Sequence, residues 1–143
     1  MLMSTFEANV MEASPKDAYD AIQYEATAQL VDVRTRAEWS YVGVPMLGPR
    51  REPILLEWQS FPQMAVNPEF GPTLQSVCPD TSAPLYFLCR SGVRSHAAAQ
   101  LMGSMGYANV FNVVDGFEGP PDENGHRGNR AGWKADGLPW RQT

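Results

Sequence analysis

Cys89-Arg90-Ser91-Gly92-Val93-Arg94-Ser95 sets a nucleophile, two guanidiniums, a turn-forming glycine and two hydroxyls in one short stretch. A free cysteine is only a few per cent thiolate at neutral pH. A helix N-terminus contributes roughly 0.3–1 kcal/mol toward an anion, about 2 when partly buried, and nearby guanidiniums add to it. Those features together point to Cys89 as a thiolate nucleophile for covalent catalysis in two half-reactions. Gly92 is expected to let the backbone turn so that successive N–H groups converge on the sulfur. Arg94 is the candidate for binding an anionic substrate and stabilising the sulfur-bound intermediate, with Arg90 helping more peripherally; a role in structure alone is the alternative for Arg90. Ser91 and Ser95 offer hydrogen bonds, Ser95 doubling as a residue of the helix start, and Val93 completes the loop. The competing reading is a buried structural cysteine, but an inert core thiol has no use for Arg90, Gly92 and Arg94 around it.

The flanking segments place that loop. Pro84-Leu85-Tyr86-Phe87-Leu88 reads as a buried strand. Ser95-His96-Ala97-Ala98-Ala99-Gln100-Leu101-Met102 reads as a helix over about 94–105, stopped by Gly103 and Gly106. The cysteine therefore sits at the carboxyl end of a strand feeding a helix, where open α/β sheets bind ligands. Upstream, Ser14-Pro15 caps a helix to about Gln23, and Gln29-Leu30-Val31-Asp32-Val33 is a strand. Thr35 and Glu38 form a capping box for a short helix carrying Trp39 and Tyr41. The proline-rich stretch 43–62 reads as loop with one short strand, Ile54-Leu55-Leu56. Asn67-Pro68 predicts a helix to about Cys78, with Gly71-Pro72 a point of interruption. Asn109–Val114 is a further strand. Strands separated by helices predict a parallel sheet covered on both faces.

A chain of 143 residues fits one compact domain. Its core is expected over about 14–118, with 119–143 as a C-terminal wrap. A net charge of −5 and no basic stripe argue against nucleic acid and anionic membrane. No apolar run has transmembrane length, and Met1–Glu7 lacks the regions of a signal peptide. With only two cysteines, Cys78 and Cys89, a disulfide would silence the nucleophile, so a reducing cytoplasm fits.

Three blocks in this order carry a resemblance: Leu30-Val31-Asp32-Val33-Arg34 followed by Glu38-Trp39, then the Cys89 loop, then Gly106-Tyr107-Ala108-Asn109-Val110-Phe111. Over roughly residues 14 to 118 the chain resembles the rhodanese-like sulfurtransferases. The resemblance implies a three-layer α/β/α fold around a five-stranded parallel sheet. It also implies transfer of a sulfane sulfur from a small anionic donor, such as thiosulfate, to a thiophilic acceptor or a sulfur-relay protein. Cys89 matches the persulfide-forming cysteine and Arg90 to Ser95 its active-site loop; Asp32 and Arg34 match supporting residues that hold loops by ion pairing. No cofactor is implied. Three departures stand out: Gly43-Val44-Pro45-Met46-Leu47-Gly48 replaces a Gly-His-Ile-Pro-Gly-Ala-like turn, Asp115-Gly116 replaces Gly-Gly before a closing helix, and the tail is long.

Two other classes compete. A cysteine phosphatase needs five residues between Cys and Arg; here Arg94 is one residue too close and no acid for the leaving group is evident. A catalytically silent rhodanese module, used for binding or regulation, commonly lacks the cysteine. Among the remaining residues, packing explains Cys78 better than a resolving thiol, and Glu38 reads as the far half of its capping box. Arg50-Arg51 is a solvated loop pair by default, with steering of anions as the alternative. His96 reads as solvated or core-satisfied, His126 has no metal-ligand spacing around it, and Trp39, Trp58, Trp133 and Trp140 read as core or tail-docking anchors.

Overall fold

The computed structural model describes residues 9–49 and 51–142. The reading of Met1–Glu7 as lacking a signal peptide, and the Arg50 half of the arginine pair, lie outside them. Local signals account for the helices. In α1 (Pro15–Tyr24) Ser14 Oγ accepts from the Asp17 N–H at 3.0 Å, and Pro15 occupies the first turn. Helix α2 (Arg36–Tyr41) opens with the complete Thr35/Glu38 capping box. Helix α3 (Phe70–Val77) begins later than the Asn67-Pro68 signal suggested, because Asn67 Oδ1 accepts from the Glu69 N–H in an Asx turn first. Pro72 then falls in the first helical turn, whose N–H groups have no intrahelical partner, so Gly71-Pro72 interrupts nothing. Helix α4 (Val93–Ser104) follows the cysteine loop.

The strands are β1 (Met11–Ala13), β2 (Gln29–Asp32), β3 (Val44–Pro45), β4 (Ile54–Leu55), β5 (Gln59–Ser60), β6 (Ala65–Val66), β7 (Leu85–Leu88), β8 (Val110–Val113) and β9 (Trp140–Arg141). Five of them form a parallel sheet in the order β1-β8-β7-β2-β4. The expectation of one strand within 43–62 is corrected: β3, β4 and β5 all lie there, β3 pairing antiparallel with β9 and β5 with β6. Only β4 joins the main sheet, continued by the Leu56 and Trp58 N–H groups donating to Asp32 and Val33 carbonyls at 3.1 Å.

Strand alternation divides the core into two faces. Val31, Val33, Leu85, Phe87 and Val110 pack with Phe70 and Leu74 of α3 and Ala98, Ala99 and Met102 of α4. Leu30, Tyr86, Leu88 and Val113 pack with Ala18 and Ile22 of α1 and with Phe117 and Trp133. The fold is thus the three-layer α/β/α arrangement with a five-stranded parallel sheet. The same alternation carries Cys89, two residues beyond Phe87, onto the α3/α4 face.

No helix follows β8 among the described residues. In place of a closing helix the chain folds back through turns. The Trp133 and Lys134 N–H groups donate to the Gly116 and Phe117 carbonyls at 2.9 and 3.1 Å. The fully buried Trp133 stacks edge-on against Tyr19, and its indole N–H donates to Pro139 O at 2.7 Å. No helix among the described residues is long and apolar enough to cross a membrane.

Candidate active site

Strand β7 ends at Leu88, and α4 begins four residues after Cys89, so the intervening loop must turn sharply. Gly92 makes the turn at φ +116°, a backbone region that side chains disfavour, and it serves as the N-cap of α4. The result is a nest. The Gly92 and Ser95 N–H groups donate to Cys89 Sγ at 3.1 and 3.3 Å, and Ser95 Oγ lies 3.2 Å away. Two main-chain donors and a helix N-terminus favour negative charge on that sulfur.

Cys89 is only 1 % exposed, yet it forms part of the wall of a cavity of about 350 Å³. Arg90, Ser91, Val93 and Arg94 line the same space, as do Glu38, Gln59 and Met64. Among the described residues, this cavity is the space that borders the sulfur.

Glu38 bears on the two arginines of the loop. The Arg94 guanidinium grips the Glu38 carboxylate two-pronged, Nη1 to Oε1 at 2.7 Å and Nη2 to Oε2 at 2.9 Å. Glu38 Oε1 also accepts from the Thr35 N–H and Oγ1 at 3.1 and 3.0 Å. Burial alone would raise the Glu38 carboxyl. The hydrogen bonds from Arg94 and Thr35 and the Arg94 charge outweigh it and hold the group at about 2. Burial likewise works against the Arg94 charge, and Glu38 more than restores it, raising the guanidinium above its ordinary value. So Arg94 faces the cavity already neutralised. Arg90, exposed at the rim of the same cavity, forms no salt bridge among the described residues.

Asp32 and Arg34 stand behind the loop, fully buried and paired at 2.7 Å, and neither lines the cavity. Arg34 also donates to Gly43 O at 2.8 Å and stacks over the Phe117 ring at 4.2 Å. Phe117 belongs to a turn bound to the cysteine loop: its N–H donates to Cys89 O at 2.8 Å, and the Glu118 N–H to Arg90 O at 3.0 Å. This contact explains the Asp115-Gly116 departure. Asp115 takes φ +63°, which an aspartate tolerates, while a Cβ on Gly116 would meet Cys89 O at 2.3 Å. The first glycine of the pair is replaceable here and the second is not.

Other sequence candidates fall outside the cavity. Arg51 donates to the Ile22 and Ala28 carbonyls and ties down the end of α1, so it is not a solvated partner of Arg50. His96 lies 3.9 Å from Glu12 on β1. Cys78 caps α3, and its carbonyl accepts from the Tyr107 hydroxyl. Burial and then the Asp80 charge push its thiol up. No cluster of three metal-ligating side chains occurs among the described residues.

Sequence reasoning missed three features of the site. The capping box singled out Glu38 but explained it locally, and nothing in the sequence pairs it with a residue 56 positions on. Gln59 and Met64 arrive from the β5–β6 hairpin, which the loop reading concealed. Asn112 accepts from Ser95 Oγ at 2.6 Å, directly behind the sulfur. Its place in a strand otherwise made of Val and Phe was the one signal available.

Comparison with known proteins agrees with this fold. The chain is 41% identical over 125 residues to an uncharacterized protein of Rickettsia conorii, spanning 87% of this chain and 91% of that one. It is 30% identical over 128 residues to the thiosulfate sulfurtransferase GlpE of Actinobacillus succinogenes, spanning 90% and 87%. The crystal structure of Rv0390 from M. tuberculosis superposes with a TM-score of 0.81 at 42% identity, covering 94% of this chain and 98% of that one. A polysulfide-sulfur transferase from Wolinella succinogenes shares the fold with a TM-score of 0.65 at 21% identity, covering 99% and 85%. The family model of the Rhodanese-like domain matches residues 14–119, from the cap of α1 through the turn that braces the cysteine loop, and the chain belongs to that family.

Proposed function

We propose that this protein is a sulfurtransferase that carries a sulfane sulfur on Cys89. The observation that carries the reading is the pair of main-chain N–H groups donating to Cys89 Sγ in the wall of the cavity. In the first half-reaction the Cys89 thiolate attacks the outer sulfur of an anionic donor such as thiosulfate. The S–S bond of the donor breaks with its electron pair, sulfite leaves, and Cys89 holds a persulfide anion. In the second, a thiophilic acceptor attacks the terminal sulfur and the thiolate returns. Negative charge is conserved in each step, so the amide nest serves thiolate and persulfide alike. Sulfite is a weakly basic leaving group, so no general acid is required.

Arg90 draws the donor anion to the rim, while Arg94, held by Glu38, shapes the wall. Ser91, Gly92, Val93 and Ser95 complete the loop, and Asp32 and Arg34 hold it from behind. A reducing cytoplasm suits this chemistry, and both cysteines are free thiols. The hydrolytic phosphatase alternative is disfavoured because Arg94, the arginine that would clasp phosphate, is engaged by Glu38. Thiosulfate:cyanide sulfur transfer tests the reading. Cys89→Ser is expected to abolish it with the fold intact, and retained transfer would refute the assignment.

A further inference from the structure

Behind the Cys89 sulfur runs a short chain of polar side chains. Ser95 Oγ lies 3.2 Å from Sγ and donates to Asn112 Oδ1 at 2.6 Å. Ser95 and Asn112 are 0% and 6% exposed, so the chain is shielded from bulk water. Asn112 reaches Ser95, and through it the surroundings of the sulfur, because it is the register partner of Phe87 on the adjacent strand and shares the face onto which Cys89 turns.

A serine hydroxyl carries one proton. While that proton is given to Asn112 Oδ1, Ser95 presents a lone pair to Cys89. This arrangement accepts an S–H and opposes a negatively charged sulfur. A thiolate requires the reverse, with the hydroxyl donated to Sγ. The side-chain amide of Asn112 serves both cases: turned over, its NH₂ group donates to Ser95 Oγ and releases the hydroxyl proton toward the sulfur. The Gly92 and Ser95 N–H groups are donors in either state, so Asn112 governs the polarity of the third contact.

We propose that Asn112 is a positioning residue that sets how readily the Cys89 thiol gives up its proton, by choosing which way the Ser95 hydroxyl points. The inference rests on reading Cys89 as the sulfur carrier and adds how its reactive form is controlled. The thiol proton passes to solvent through the cavity, and no oxidant or reductant takes part. Arg90, Arg94 and Glu38 across the cavity, Asp32 behind Arg94, and Glu12 and His96 beside Asn112 are the charged or titratable groups around this chain. They are common to every variant below and drop out of the differences.

The test is the pH profile of Cys89 alkylation by iodoacetamide, followed by peptide mass so that Cys78 is counted separately. Asn112→Leu removes the competing acceptor and frees the hydroxyl for the sulfur. Half-maximal alkylation is expected to move about one pH unit lower, a roughly tenfold gain in thiolate at a given pH below the midpoint. Asn112→Asp accepts only and adds negative charge, so its profile moves higher. In a Ser95→Ala background, Asn112→Leu is expected to change nothing further. Shifts in the same direction for Leu and Asp, or a Leu effect that persists without the Ser95 hydroxyl, would overturn the proposal. Asn112→Ala, expected to move in the Leu direction, carries the test if the Leu variant does not fold. Alkylation reads the thiol itself, so the proposal survives or fails independently of whether the protein transfers sulfur.

Discussion

Replacing Glu38 by Gln isolates the residue that holds Arg94. The carboxylate lies at about 2 against an ordinary 4.5, a difference that corresponds to about 3 kcal/mol of folding stability at neutral pH. The Glu38 and Arg94 side chains are 20% and 16% exposed, so solvent screens part of this, and we expect a loss of about 2 kcal/mol for Glu38→Gln. Because the folded-state value is depressed, the contribution is fully present above about pH 4.5 and is lost as pH falls toward about 2. Wild type and variant should therefore converge in stability across that window. Urea denaturation at neutral pH and at steps down to about pH 2.5 measures this directly. The same substitution leaves the Arg94 guanidinium uncompensated beside the cavity. One added positive charge near a dianionic donor is worth about 1 kcal/mol, so the thiosulfate KM should fall roughly fivefold. An unchanged stability, or a KM that rises with kcat/KM collapsing, would refute the reasoning. The second result would mean that the ion pair itself positions the donor.

Further substitutions probe the rest of the site. Arg90→Gln removes the exposed rim cation and should raise the thiosulfate KM several-fold with kcat nearly unchanged, and with a weaker dependence on ionic strength; steady-state kinetics at two salt concentrations decides this. Arg34→Ala leaves the buried Asp32 carboxylate without its partner and should cost about 3–5 kcal/mol by denaturant unfolding. Gly116→Ala drives a Cβ to within 2.3 Å of Cys89 O unless the chain moves. We expect a loss of at least about 2 kcal/mol in stability together with loss of the proposed sulfur transfer, since the loop that holds Cys89 must shift.

The parts of this molecule that were legible in its sequence are those determined by neighbouring residues. Ser14-Pro15 and the Thr35/Glu38 box mark helix starts because capping is a matter of three or four residues. Strands β2, β7 and β8 are buried along most of their length and so read as largely apolar runs, broken only by Gln29 and Asp32 in β2 and Asn112 in β8. The cysteine loop was legible because its glycine, cysteine and helix start are contiguous. Strands β1, β3 and β9 were not, being two or three residues long and defined by the partners they meet. The Glu38–Arg94 pair, the Ser95–Asn112 contact and the docking of Trp133 depend on which strands become neighbours, information that no local pattern contains. Asn67-Pro68 misplaced a helix start because an Asx turn and a cap use the same side-chain chemistry.

The most direct measurement of the central claim is the intact mass of the protein after exposure to thiosulfate. A gain of one sulfur atom, mapped to Cys89 and removed by cyanide, is the predicted result. An unchanged mass, or a sulfur found on Cys78, would contradict it.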